Sequence, residues 1–444
     1  MRTWVFRLYF SPLFYTFFAV CVGLFILAFF FPVLSGITRI ITLAGFALTA
    51  IDYVLLMRVR EPVFARRTST DRLSNGDENP VELFFENRCT FPLRLQVVDE
   101  VPFQFQLRDV DFRLRLSANE QKSILYHLRP VRRGNYDFGY IQTFLRSPLG
   151  LVVRKYSAGK PVVLPVYPSF LQMRRYELLA ISNRLTEAGI KKIRRIGHSM
   201  EFDQIKPYVQ GDDYRSVNWK ASARRDELMV NAYTDERSQQ VYCVIDKSRT
   251  MQSPFEGLSL LDYAINASLV LANVAMLKQD KAGLITIAEK DPSVLGADRG
   301  PQQLNRILQI LYKERTRYPE LNGELLFSTI KKAVKQRSLV VFFTNFETIN
   351  ALHRQLPYLR SIARQHLLLV VFFENTELRS LTESAAKNVE DIYVKTVAGK
   401  FAYEKKLIVK EFQRYNIMSI LTAPQHLTVN TVNKYLELKA RQRI

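Results

Sequence analysis

The rhythm of apolar and polar positions changes twice along this chain. From Leu13 to Phe31 apolar residues run without a charge, and a second run from Ile40 to Met57 holds only Asp52. A helix needs about 20 apolar residues to cross a bilayer, so the two runs predict a transmembrane hairpin over residues 1–57. A signal peptide would show a shorter apolar core and a small-residue cleavage site, with no second run behind it. From Asn79 to Pro168 the rhythm becomes period two: "VELFFENRC", "PLRLQVVDEV", "FRLRLSA", "QKSILYHLRPV" and "GYIQTFLRS" alternate apolar with polar residues. Short alternating strands punctuated by Pro, Asn and Gly predict a small β-sandwich over residues 58–170. Phe170 to Met200 reads as a basic helix with a cluster from Lys191 to Arg195, opening a helical and charged segment over 171–240.

After Gln240 continuous apolar runs alternate with helical patterns. "VYCVID", "KAGLITIA", "SLVVFFTNFE", "HLLLVVFFEN" and "IMSILTAP" read as strands, and the segments between them as helices, of which "LSLLDYAINASLVLANVAMLK" is the most apolar. Strands without alternation are buried on both faces, which predicts a doubly wound, Rossmann-like parallel sheet over residues 241–444. The fold class is therefore α/β, preceded by the hairpin and the sandwich.

Charge places the hairpin. Arg2 and Arg7 precede the first run, and Arg58, Arg60, Arg66 and Arg67 follow the second, whereas the connection carries only Arg39. The positive-inside bias predicts both termini in the cytoplasm and everything after residue 58 facing it. Asp52 is expected near that interface, close to Arg58 and Arg60. The net charge of +21 predicts attraction to anionic lipid or an acidic partner. Nucleic acid is not expected, since no helix-turn-helix, RNA-recognition or OB signature accompanies the charge. The three cysteines, Cys21, Cys89 and Cys243, form no CxxC pair, which argues against a disulfide framework or structural zinc. No G-x-x-x-x-G-K-[ST], H-E-x-x-H or G-x-S-x-G motif is present, and the five histidines are scattered, so no enzyme is expected.

Candidate chemistry sits at the end of the first strand of the α/β half. In parallel sheets ligands bind at the carboxyl ends of the strands, and there Asp246, Ser248 and Thr250 bring a carboxylate and two hydroxyls into one loop. Hard oxygens suit Mg²⁺ held partly through water; the competing role is hydrogen-bonded capping of the loop. Just upstream, "YVQGDDYRSVNWKASARRDELMV" packs Asp212, Asp213, Arg215, Arg224, Arg225, Asp226 and Glu227 around Trp219. The expected arrangement is a segment clamped by internal ion pairs, with Trp219 as an apolar anchor; the alternative is a surface presented beside the Asp246 loop to a partner.

That stretch resembles the signature of the bacterial domain-of-unknown-function 58 family: Gly211, Asp212, Asp213, Arg215, Trp219, Ala223 and Arg224 match its Gly-Asp-Asp, Arg, Trp and Ala-Arg spacing. "RRGNYDFGYIQTFLRSPLGLVVRK" and "VYPSF" look like the family's preceding β region, and "VIDKSRTM" is similar to the start of a von Willebrand factor A-like domain. The resemblance implies such a domain with a metal-ion-dependent adhesion site, a bacterial inner-membrane location, and partnership with an AAA+ ATPase of the MoxR type. Asp246, Ser248 and Thr250 match the first metal loop, with Thr250 for the usual second Ser. Asn345 stands where the family fold offers an Asp, and the threonine of the intervening loop has no clear counterpart. The expectation is a membrane-anchored interaction protein with a degenerate Mg²⁺ site; the alternative is a metal-dependent hydrolase using the Asp246 loop.

Overall fold

The computed structural model describes residues 7–107, 110–181, 200–210, 212–235, 239–288, 292–316, 319–383 and 388–441. The basic run Lys191–Arg195 and Gly211 lie outside the described residues. The chain divides into two compact units, Met1–Tyr167 and Pro168–Ile444.

In the first unit two apolar helices, Pro12–Phe30 and Leu34–Arg58, are each long and apolar enough to span a membrane. Ser11 caps the first, accepting a hydrogen bond from Phe14 N at 3.3 Å. Three residues, Phe31–Val33, join them, and Arg39 falls inside the second helix rather than in the connection. Gly45 lets the helices close on each other: a Cβ there would sit 2.2 Å from Phe17 Cε1.

The β region is built as the alternation predicts. One three-stranded sheet joins Val63–Thr68, Asn79–Asn87 and Gln121–Leu128; a five-stranded sheet runs Arg7–Phe10, Val152–Ala158, Ile141–Arg146, Leu93–Asp99, Asp111–Leu116. Leu83 and Phe85 from the first sheet share a core with Leu95, Val97, Leu114, Ile141 and Leu145 from the second. A small third sheet joins Leu73–Ser74, Val162–Tyr167 and Gly134–Phe138.

The N-terminal edge strand Arg7–Phe10 is a feature that the period-two pattern did not reveal. It pairs antiparallel with Val152–Lys155, so the chain on both sides of the helical hairpin returns to the same β region. The boundary expected at residue 57 therefore does not separate two compact bodies.

Two buried charges bind the second helix to these strands. Asp52 accepts hydrogen bonds from Leu151 N at 2.8 Å, Val152 N at 2.9 Å and the Ser147 hydroxyl. Arg154 donates to the carbonyls of Leu56 (2.5 Å), Val59 (2.8 Å) and Arg60 (3.1 Å), meeting acceptors that the helix end leaves open. This corrects the expected setting of Asp52: its partners come from the loop Ser147–Val152, not from Arg58 or Arg60. Dehydrating a carboxylate costs several kcal/mol. Three hydrogen bonds to a charged acceptor, at about 1.5–3 kcal/mol each, are of the size needed to offset that.

In the second unit, six strands form one sheet in the order Ser293–Asp298, Lys281–Ile287, Gln240–Asp246, Leu339–Phe343, Leu367–Phe373, Met418–Thr422. All neighbours are parallel except Ser293–Asp298, an antiparallel edge strand that was not predicted. Its short sequence carries a glycine and no continuous apolar run.

The sheet is covered on both faces. Tyr242, Val244, Val340, Phe342, Val370 and Phe372 pack against Leu326, Ile330, Leu356, Leu359, Ile408 and Phe412 of the helices Gly323–Ala333, Ile349–Gln365 and Val389–Arg414. Cys243 points the other way, its thiol 3.7 Å from Ser268 O of the helix Leu260–Leu277. That helix is apolar enough to cross a membrane, but 83% of it is buried within the protein.

The clamp on Asp52 makes a direct prediction. Asp52→Leu strands two backbone N–H groups and a hydroxyl in a buried site and is expected to lower stability by about 3 kcal/mol or more. Ser147→Ala removes one donor to Asp52 and the acceptor of Leu149 N and Gly150 N, and should cost about 1.5–3 kcal/mol. Thermal unfolding of the detergent-solubilised chain checks both; an unperturbed melting temperature for Asp52→Leu would mean that the clamp contributes nothing.

Candidate functional site

Chain order along the sheet reverses beside the strand Gln240–Asp246, whose neighbours are the second and the fourth strands in sequence, counting the antiparallel edge strand as third. Such a switch point leaves a crevice at the carboxyl ends of the strands. Asp246 ends one of the flanking strands; Thr344 and Asn345 directly follow the other.

Asp246 is buried and fully engaged. One carboxylate oxygen accepts from Ser248 N and the other from the Thr344 hydroxyl, both at 2.7 Å. Burial pushes this carboxyl above its ordinary range, against the pull of those two donors. The Ser248 and Thr250 hydroxyls bond each other at 3.1 Å. Asn345 sends its amide toward Thr250 O at 3.4 Å, while its oxygen accepts from Lys405 Nζ at 2.7 Å. The expected residues thus do converge, and the bonds they make are those of loop capping.

Two lysines and a glutamate complete the arrangement, and residue spacing alone does not single them out. Lys247 is buried and pairs with Glu314 at 2.7 Å; the other oxygen of Glu314 accepts from the hydroxyls of Thr286 and Ser293, each at 2.7 Å. Burial raises the Glu314 carboxyl, but the Lys247 ammonium and the hydroxyls outweigh it and leave the group below its ordinary value. Lys405, on the helix Val389–Arg414, also donates to Phe346 O at 2.5 Å. Burial holds it down to about 8 against the opposing influence of Glu347, itself exposed on the same loop as Asn345. Among the described residues no group of three His, Cys, Asp or Glu side chains is placed to hold a metal ion.

The charged stretch upstream is an excursion from a two-stranded ribbon. Met200–Pro207 pairs with Met229–Asp235, and Tyr208 N bonds Leu228 O at 2.7 Å to close the base. Asp213 caps the turn Tyr214–Ser216 by accepting from Arg215 N at 3.0 Å, and Asn218 caps the short helix Trp219–Arg225 by accepting from Ala221 N at 3.0 Å. Asp212 pairs with Lys206 at 3.0 Å. The expected network of internal ion pairs is otherwise missing: among the described residues no carboxylate lies within pairing distance of Arg215, Lys220, Arg224 or Arg225. Trp219 is no anchor either. It and Tyr214 are each 72% exposed, with Val209 and Leu228 exposed as well, and Ala223 and Arg224 are open to solvent. The caps fix the backbone, and among the described residues no apolar layer covers Trp219.

Residues 204–397 match the family model described as "Protein of unknown function DUF58". The match spans the excursion, the Asp246 loop and Asn345, and stops short of Lys405. The uncharacterized protein YeaD of Bacillus subtilis (strain 168) is 27% identical over 255 residues, which is 56% of this chain and 61% of that protein's length. Among solved structures, the conserved hypothetical protein BatB from Bacteroides thetaiotaomicron aligns with 46% of this chain and 100% of its own at 12% identity and a TM-score of 0.31. The CARDB domain of PF1109 from Pyrococcus furiosus aligns with 23% of this chain and 86% of its own at 11% identity and a TM-score of 0.17. Likenesses this low support no functional argument.

The Glu314 network has a pH signature. A carboxyl held below its unfolded value stabilises the fold above that value, 4.5 for Glu314, and loses the contribution as pH falls through the folded one. Lys247→Met removes the main partner and so raises the folded pKa. The midpoint of acid unfolding should move to higher pH, and stability at neutral pH should fall by about 3–5 kcal/mol, as for other broken buried pairs. Acid titration followed by near-ultraviolet circular dichroism measures both; an unchanged acid midpoint would show that Lys247 does not hold Glu314 ionised.

Proposed function

We propose that this is a membrane-anchored docking protein whose α/β unit engages a protein partner through the Tyr208–Leu228 excursion. The exposure of Tyr214 and Trp219 among four cationic side chains that have no carboxylate partner among the described residues is the observation that carries this reading. Large aromatics next to arginine are the residues most often found at binding hot spots, and a cluster of them left in water is otherwise unfavourable. The caps at Asp213 and Asn218 hold the excursion in one shape before a partner arrives, which lowers the ordering cost of binding.

The six-stranded order and the place of Asp246 at the switch point support a von Willebrand A-like reading of the unit. With the family match, that favours an AAA+ ATPase of the MoxR type as the partner, with an acidic docking face to meet Arg215, Lys220, Arg224 and Arg225. The two apolar helices supply the anchor, and the return of Arg7–Phe10 to the same sheet as Val152–Lys155 supports a hairpin with both ends on one side. Arginines at those ends favour the cytoplasmic side of the inner membrane. A hydrolase at the Asp246 loop gains nothing from a buried carboxylate whose two oxygens already accept hydrogen bonds.

Reconstitution with a purified MoxR-type ATPase tests the docking surface. Trp219→Ala and Tyr214→Ala are each expected to weaken binding by at least about 2 kcal/mol, roughly thirty-fold, with unchanged melting temperatures because neither side chain packs inside. Arg224→Glu should slow association and reduce its salt dependence. If all three variants bind as the wild type does, the excursion is not the docking surface. Orientation is tested separately: a reporter fused after Ile444 should be active in the cytosol, and periplasmic activity would overturn both the orientation and the cytosolic partner.

A further inference from the structure

Lys405 occupies an unusual position. Ile408 and Phe412 follow it at i+3 and i+7 on the helix Val389–Arg414, and both lie in the core beside Phe342, Phe346 and Phe372. Helical periodicity therefore puts Lys405 on the stripe that faces the sheet. Its ammonium reaches the end of the strand Leu339–Phe343, donating to Asn345 Oδ1 at 2.7 Å and Phe346 O at 2.5 Å, with the Phe372 ring centroid 5.8 Å away. A lysine placed there for solvation alone would turn its head outward. This one spends two of its three donors on oxygens at the strand end.

The same oxygens are the ones a divalent cation would need. Mg²⁺ binds through oxygen lone pairs, generally with at least one or two carboxylates. Here the buried carboxylate, Asp246, accepts from Ser248 N and the Thr344 hydroxyl; the Ser248 and Thr250 hydroxyls bond each other; Asn345, which brings no charge, has its oxygen on an ammonium; and the Glu347 carboxylate on that loop is exposed. The donor set of this chain does not fit a resident metal ion. It fits a positive charge delivered by the protein.

We propose that the Lys405 ammonium replaces the divalent cation at the carboxyl end of this sheet, so that the Asp246 loop is a metal-free site whose positive pole is built into the helix Val389–Arg414. The uncharged amide of Asn345 and the ammonium of Lys405 complement each other at the strand end. With an amide in place of a carboxylate, the strand end can accept a hydrogen bond from an ammonium without forming a buried ion pair. The site keeps its charge whatever the metal supply. This holds whether or not the excursion is the docking surface.

The test uses the full chain in detergent, stripped with chelator, and Mn²⁺ and Mg²⁺ themselves as probes, read by calorimetry and by the paramagnetic resonance of free Mn²⁺. The wild type is expected to show no saturable binding at up to millimolar metal and no shift in melting temperature on adding chelator. The double variant Lys405→Met with Asn345→Asp removes the ammonium and restores the carboxylate. It should gain one Mn²⁺ site per chain, and adding Asp246→Asn should abolish that site. Asn345→Asp alone keeps Lys405, whose ammonium pairs with the new carboxylate, and should still bind no Mn²⁺. Stoichiometric binding by the wild type that Asp246→Asn removes would overturn the proposal. So would a Mn²⁺ site in Asn345→Asp alone, or a folded double variant that binds none. Should the double variant fail to fold, the wild type and Asn345→Asp decide the matter without it.

Discussion

A charge taken out of water has to be met by the protein, and the bond network around Asp52 shows how strictly that is obeyed here. Asp52 is the sole acid in a helix long and apolar enough to span a membrane. Its carboxylate is met by two backbone N–H groups and a hydroxyl from a loop about a hundred residues away in sequence. Arg154, a few residues beyond that loop, does the converse for the open carbonyls at the helix end. Because the donors belong to strands and the acceptors to the helix, neither can be satisfied unless the helix end and the strands keep one arrangement. The β region of the first unit is thus the seat of the hairpin.

The same constraint shapes the second unit, at the ends of its strands. A parallel sheet covered on both faces leaves no place for a polar side chain along its length, so polar groups collect where the strands stop. At the carboxyl ends each finds its complement: Asp246 with Ser248 and Thr344, Lys247 with Glu314, Lys405 with Asn345 and Phe346. At the opposite end Asp280 accepts from Gln239 N at 3.1 Å and from Tyr435, and pairs with Lys439 at 2.8 Å, tying in the helix Leu427–Ala440. Truncating one member of such a pair costs more than the pair contributes, because the other is left buried and alone.

This also explains which parts of the molecule could be read from the chain. Period two in Asn79–Asn87 and unbroken apolar runs such as Leu339–Phe343 report how many faces of a strand are buried, and that is a local property. Strand type and fold class therefore followed from the pattern. Partnership is not local. Lys405 lies sixty residues from Asn345, and nothing in "AYEKKLIVK" separates it from Lys406, which points to solvent. The edge strand Arg7–Phe10 is short and pairs across the whole first unit. Trp219 is a related case: a tryptophan among ions reads as an anchor, but what covers it is set by distant segments, and among the described residues it stays exposed.

The contrast between the Asp246 loop and the excursion then separates two tasks. Around Asp246 its two carboxylate oxygens, the Ser248 and Thr250 hydroxyls and the Asn345 amide all have protein partners, so a ligand entering that loop would have to displace bonds already made, and the loop is suited to holding the strand ends in register. The excursion is the reverse. Its backbone is capped and closed at the base, while among the described residues its cationic side chains have no carboxylate partner and its aromatics are exposed, Arg215 reaching only the neighbouring Tyr214 hydroxyl at 3.3 Å. A surface that is conformationally settled but chemically unsatisfied is what a binding site requires, since the gain on contact is not spent on ordering the chain. Satisfied charges at the switch point and unsatisfied ones on the excursion are therefore complementary features. The first fixes the carboxyl ends of the strands, and the second is the surface on which the proposed docking rests.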